Sequence, residues 1–184
     1  MTERILETAS RLFYEQGIRA VGVDTIAAET GISKRTLYNH FPSKDTLIVA
    51  YLQRRVRLKP TSGKPPELQI LDDFARLEQA FSATDFHGCP FANAVTELKD
   101  PGHAASEIAR AFKEMRRQWY RELLTRARVT DPEGLSLQLM LLLDGAIVTA
   151  LVGKQPAAVA RAARDAARVL LVAGGADTTR EIRL

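Results

Sequence analysis

Apolar residues return every three to four positions along most of the chain, and this spacing predicts helices nearly throughout. Ile5, Leu6, Ala9, Leu12 and Phe13 form one stripe of a first helix, which Thr2 is placed to cap and Gly17 to end. Ile26 and Ala27 belong to a short second helix running up to Gly31, the residue type that best tolerates the left-handed conformation closing a helix. Ile32 then turns inward. Ser33 stands where an N-cap is wanted, with its hydroxyl in reach of the Thr36 amide, so a third helix opens there. Leu37 and Phe41, four apart, share its buried face and leave Arg35, Tyr38 and Asn39 facing outward. Pro42 stops this helix, and Ser43 caps a fourth, to about Arg57, with Leu47, Ile48, Tyr51, Leu52 and Val56 on one side.

The remaining chain is also helical by pattern. Lys59 to Pro66, KPTSGKPP, reads as a loop and a boundary. Beyond it Leu68, Leu71, Phe74, Leu77 and Phe81 keep helical spacing, and Phe91 to Leu98 fits a shorter helix. Asp100-Pro101 starts a long helix, His103 to Arg128, with Ile108, Phe112, Met115, Trp119 and Leu123 inside. Asp131-Pro132 starts the next, whose run from Leu135 to Val152 is apolar nearly all round and so needs cover on most sides. The last helix, to about Ala173, offers Ala157, Ala160, Ala163, Ala166 and Ala167 as a face for close approach. Two such helices expose more apolar surface than one subunit hides, which favours a homodimer over a monomer whose core simply uses them both.

Two short helices around a glycine turn, with Lys34 and Arg35 opening the second, are how a protein presents a helix to DNA; a solvated face on a helical bundle is the plainer alternative. The segment GISKRTLYNHFPSKDTL, with Ile26 and Ala27 upstream, resembles the recognition helix and following segment of the TetR family of bacterial transcriptional regulators. The matching residues are Gly31, Ser33, Leu37, Tyr38, His40, Phe41, Lys44 and Leu47, and the dense match covers about the first third of the chain. Gly22 stands where the family often has Ser or Thr. The resemblance implies an all-α fold: a helix-turn-helix DNA-binding domain over residues 1–46 and a helical effector-binding and dimerisation domain over 47–184. Charge agrees by location. Residues 1–60 carry ten Lys and Arg against six Asp and Glu, whereas residues 61–184 carry sixteen of each, so the net charge of +4 belongs to the end with the helix-turn-helix.

Two recognition helices related by a two-fold axis would reach successive major grooves of a palindromic operator. Lys34 and Arg35 are candidates for guanine edges or phosphate, and Asn39 for adenine through a bidentate amide. Thr25, Thr36, Tyr38, His40 and Lys44 are candidates for phosphates, with Ser33 capping the helix that carries them. Periodicity puts His40 near the buried side, which leaves it open as a spacer.

In the body, Phe86 to Asn93, FHGCPFAN, is similar to a Phe-x-Gly-Cys-x-x-x-Asn segment of one TetR-like subgroup, where it opens the helix beside the effector cavity. Phe74, Phe81, Phe91, Phe112, Met115, Trp119 and Met140 are candidates to line a cavity for a small apolar or amphipathic effector, beside Cys89 and with Asn93, Glu97 and Asp144 as polar anchors. Each is equally an ordinary core residue. Asp144, in LMLLLDGAIV, is costly to bury unpaired and faces a ligand, an arginine or the helix end of a partner subunit. Cys89 just before a helix N-terminus would favour a thiolate, which opens a redox-responsive alternative; a small buried apolar side chain is the ordinary role of a free cysteine. One cysteine excludes an intramolecular disulfide framework and a thiolate-cluster metal site. No phosphate-binding glycine loop, metal-ligand spacing or nucleophile elbow is present, and His87 sits too close in sequence to Cys89 to be a held base, so an enzyme and a cofactor are not expected. No leader and no apolar run of membrane-spanning length is read, and the expected location is the cytoplasm, without membrane contact.

Overall fold

The computed structural model of the chain describes residues 1–57 and 62–177, among which there are nine helices and no strand. They form two compact units: residues 1–57 with 89–112, and residues 62–88 with 113–177.

The first unit begins with α1 (Thr2–Gln16), α2 (Val23–Thr30), α3 (Lys34–His40) and α4 (Lys44–Arg55). Ile5, Ala9, Leu12 and Phe13 of α1 are buried against Ile26, Leu37, Leu47, Ile48, Tyr51 and Leu52, in one cluster that also takes in Ile18 and Val21 of the turn after α1. The helix α6 (Pro90–Leu98) adds Phe91 and Ala94 to this cluster, and the start of α7 (Ala104–Arg126) adds Ala105 and Ala109. Thr2 does not cap α1: it lies inside the helix, no side chain caps that end, and its hydroxyl is hydrogen-bonded to His40 Nδ1 at 2.9 Å. Ser43, by contrast, caps α4 with Thr46 in a reciprocal capping box.

The second unit holds α5 (Pro66–Ser82), the remainder of α7, α8 (Pro132–Val152) and α9 (Pro156–Ala173). Of the loop expected at Lys59 to Pro66, residues 59–61 lie outside the described residues. Where described, it is tied to α5 by Gln69, whose side-chain amide donates to the carbonyls of Ser62 (3.1 Å) and Lys64 (2.7 Å). Asp131 caps α8 by accepting the Gly134 amide at 2.9 Å. The capping carboxylate lies close over Gly134, where a Cβ would stand 2.2 Å from it and make it shift.

Two expectations about the inward faces change. On α7 Tyr120 and Leu124 are fully buried, as is Ala105 near its start, and Leu123 is buried as expected, while Ile108, Phe112, Met115 and Trp119 are only half-buried. The seam follows Tyr120 because its hydroxyl finds a partner inside: it donates to Asp73 of α5 at 2.8 Å. Arg116 lies 3.6 Å from the same carboxylate. Burial, reinforced by Asp73, pushes the phenol well above its ordinary pKa and keeps it a donor. On α9, Ala160, Ala163 and Ala167 are spent within the unit, buried with Leu171 in the core shared by α5 and α8, so the alanine face is not the exposed one. Small side chains there let three helices approach closely around the apolar α8.

The helix α8 itself departs from a third expectation. Over an 18-residue window its mean hydropathy is 2.0, long and apolar enough to cross a membrane by those measures alone. The polar Ser136, Gln138, Asp144 and Thr149 interrupt the run without lowering its mean below that mark. One face, with Leu139, Leu143, Ala146 and Ala150, is buried in the unit's own core.

Tyr120→Phe is expected to lower stability by about 1–3 kcal/mol, because it removes a donor from a carboxylate that stays buried. Urea unfolding of the variant measures this, and a midpoint equal to that of the parent would remove the bond from the core's stabilising contacts.

Candidate nucleic-acid interface

The turn between α2 and α3 is set by Gly31, in the left-handed region at φ 70°, where a side chain would be strained. Its amide donates to the Ala28 carbonyl and that of Ile32 to the Ala27 carbonyl, both at 3.0 Å, which is the paired closure of a Schellman motif. Arg4 of α1 donates to the Thr30 carbonyl at 2.5 Å, placing a cation on the negative end of α2. Ser33 then starts α3 by accepting the Thr36 amide at 3.0 Å. Leu37 is fully buried and Phe41 nearly so, and these two anchors hold α3 to the core.

The rest of α3 faces out. Lys34, Arg35, Asn39 and His40 are exposed, as is Tyr38 at 42%, and Thr36 is half-buried. Thr25 on α2 and Ser33 are exposed too, and Lys44 at the start of α4 is half-buried. His40 is therefore no buried spacer: Phe41, one position on, takes the inward place, and the imidazole meets Thr2 at the surface. A partner for Lys34 was not legible in the sequence. Its ammonium lies 2.7 Å from the Asp24 carboxylate across the turn, and this pairing raises its pKa above the ordinary lysine value. Nothing local marks Asp24, since only the folded turn brings the two together. Lys44 shifts the other way: burial lowers its pKa, opposed by the carboxylates of Glu97 and Asp45.

The eleven residues proposed from the sequence for an effector divide between the two units, with Phe81 in the second. In the first, Phe91 stacks on Phe112 with ring centroids 3.9 Å apart, half-buried Cys89 is the N-cap residue of α6, and Asn93 is half-buried on the same helix. Glu97 accepts the Arg19 amide at 3.0 Å. In the second, Phe74 and Trp119 both pack on Tyr120, Met140 is buried and Met115 half-buried. Asp144 is paired with Lys113 of α7, a fourth answer beside the ligand, arginine or partner helix that its sequence setting suggested. Trp119 also borders a half-open cavity of about 140 Å³, together with Ser62, Lys64, Gln69, Asp72 and Arg76. Among the described residues no group of three or more His, Cys, Asp or Glu is arranged to hold a metal.

A glycine-closed turn leading to a short, capped helix with two inward anchors and a basic outward face defines a helix-turn-helix DNA-binding protein. Residues 5–51 match the family model for bacterial regulatory proteins of the tetR family. The chain is similar, at 31% identity, to SCO4454, a TetR-family transcriptional regulator from Streptomyces coelicolor, with a TM-score of 0.87 over 94% of each chain. It is 33% identical to the protein sav143 of Streptomyces avermitilis, with a TM-score of 0.85 over 96% of this chain and 98% of that one. It is also 28% identical over 188 residues to the HTH-type transcriptional regulator YjdC of Escherichia coli strain K12, covering 96% of this chain and 98% of that protein. The chain belongs to the TetR family of bacterial transcriptional regulators, a family of DNA-binding regulators and not of enzymes.

Arg35→Ala is expected to cost about 1–3 kcal/mol of binding and to relax preference at one base position, whereas Lys44→Ala should weaken all sequences alike. Asp24→Asn should do the reverse of Lys44→Ala, strengthening binding to every sequence by freeing Lys34 and removing an anion from the face. Binding-site selection and titrations on the three variants check this; an unchanged base preference in Arg35→Ala would take that residue out of direct readout.

Proposed function

We propose that the chain acts as a homodimeric repressor that binds a palindromic operator through its two α3 helices and is released by a small amphipathic effector. The observation that carries the dimer is the outer face of α8 and α9. Leu137, Leu141, Val148 and Val152 fall on one stripe of α8, and Val169 and Val172 on α9; Leu141 is 66% exposed, Val169 67% and Val152 81%. A contiguous apolar face of that kind is the mark of an interaction site, and a second copy presenting the same face is the symmetric way to cover it. Gly145 lies on this face with open space beside it, so a partner helix has room to come close.

Dimerisation supports the head's function by physics. A seven-residue helix presents few side chains to a groove, and two of them on one duplex multiply that recognition. Thr25, Ser33, Lys34, Arg35, Thr36, Tyr38, Asn39, His40 and Lys44 form the proposed DNA-contacting set, which supports a reading head on exposure and charge alone. For the effector, the cavity bordered by Trp119, Lys64 and Arg76 mixes an aromatic surface with cations, a lining suited to an amphipathic molecule. Release then follows from differential affinity: an effector that prefers the body conformation unable to seat both heads lowers operator affinity by the ratio of its two affinities. The redox alternative is less favoured, since Cys89 is the sole cysteine and has no resolving thiol in its own chain. A DNA-binding regulator of this kind works in the cytoplasm.

Leu141→Glu, on the exposed face, is expected to give folded monomers that bind the operator at least about a hundredfold more weakly, although the head is untouched. Light scattering and titration of one preparation measure both; monomers binding as tightly as the parent would overturn the dimer. Cys89→Ser is expected to answer peroxide as the parent does, and a release from DNA by peroxide that only the parent shows would make the protein a thiol switch.

A further inference from the structure

We propose that Glu97 is a positioning residue for DNA binding: from α6 it latches the turn between α1 and α2 and so sets where the helix-turn-helix stands. This rests on the reading of α3 as the helix that meets DNA. Gly17 ends α1 at φ 92°, and the turn behind it carries the buried Ile18 and Val21 into α2. Arg19 in that turn donates its amide to Glu97 Oε2 at 3.0 Å. Glycine is favoured there for its backbone conformation, and a Cβ at residue 17 would stand 2.9 Å from the same oxygen, so the carboxylate lies close against the turn. The turn is built around a side chain that lies 78 residues further along the chain.

The same carboxylate acts on the other end of the motif. Lys44, in the first turn of α4 directly after α3, feels Glu97 as the larger of two carboxylates that favour its charge. The second, Asp45, lies 3.5 Å from His103 Nε2, just ahead of α7. His103 is held in turn by the Ala105 amide, which donates to its Nδ1 at 3.0 Å. Hence α6 and the residues leading into α7 touch both flanks of the helix-turn-helix: the turn that aims α2 and the first turn of α4. A carboxylate would repel a phosphate, so its place on the Arg19 amide suits holding the frame and not meeting the nucleic acid. Moving the α1–α2 turn would carry α2 with it, and α3 follows α2 through the Gly31 closure and the shared core.

The test uses the full chain and a duplex that the parent selects from a random-sequence pool, beside a random duplex of equal length. Glu97→Ala is expected to lose about tenfold in affinity for the selected duplex, with affinity for random DNA and the salt dependence unchanged, because no phosphate contact is lost. Glu97→Gln, which keeps an acceptor for the Arg19 amide, should recover to within about threefold of the parent. Should Glu97→Ala unfold, Glu97→Asp, one methylene short of Arg19, takes its place with the same expectation. A folded Glu97→Ala with the parent's ratio of selected to random affinity overturns the latch, and so does a Glu97→Gln as impaired as the alanine variant. A parent that selects no sequence overturns the DNA reading and the latch with it.

Discussion

A helix of seven residues does not hold itself together in water: nucleation costs more than so few hydrogen bonds return. The helix proposed to face DNA is such a helix, and the first unit is organised around supporting it. Ser33 satisfies the Thr36 amide of its first turn and Gly31 fixes the angle at which it leaves α2. Leu37 and Phe41 bury its inner side, which leaves every outward position free of any packing duty. Only three residues separate α3 from the next helix, with the Ser43 and Thr46 capping box closing the segment between them. The same logic extends through the sequence to Glu97, which braces the turn ahead of α2 from a helix far along the chain.

The second unit answers a different constraint. The helix α8 is apolar nearly all round, and its unit leaves Leu137, Leu141, Val148 and Val152 exposed on one side. The unit spends its small residues, Ala160, Ala163 and Ala167, on sealing the inner face, and the outer face keeps leucines and valines in the open. An exposed stripe of that size costs solubility unless another surface covers it, so the proposed dimer would meet with one interface both the cover that α8 needs and the pairing of two heads.

Much of this was legible in the sequence wherever the signal is local. The αL glycine at 31, the serine caps at 33 and 43, the anchors Leu37 and Phe41 and the aspartate cap at 131 are all set by residues within a few positions of one another, and the structure has them as read. What escaped is what folding brings together from afar. Periodicity could not prefer Tyr120 over Trp119 on α7, because the choice was made by Asp73, 47 residues away. It could not say which face of α9 the alanines line, since α5 and α9 both offer apolar faces. The pairing of Asp24 with Lys34 and of Glu97 with Arg19 has no sequence signature at all. The partner of Glu97 is a backbone amide, which carries no side-chain identity for a sequence reading to recognise.

The central claim is that two copies of this chain place two α3 helices on one symmetric stretch of DNA. Sedimentation of the parent with a duplex it has selected from random sequence tests this most directly, when combined with the sequence of that duplex. The account predicts two chains, or a whole multiple of two, per duplex and inverted half-sites whose centres lie about 34 Å or more apart. One chain per duplex, or a selected sequence without inverted symmetry, would contradict it.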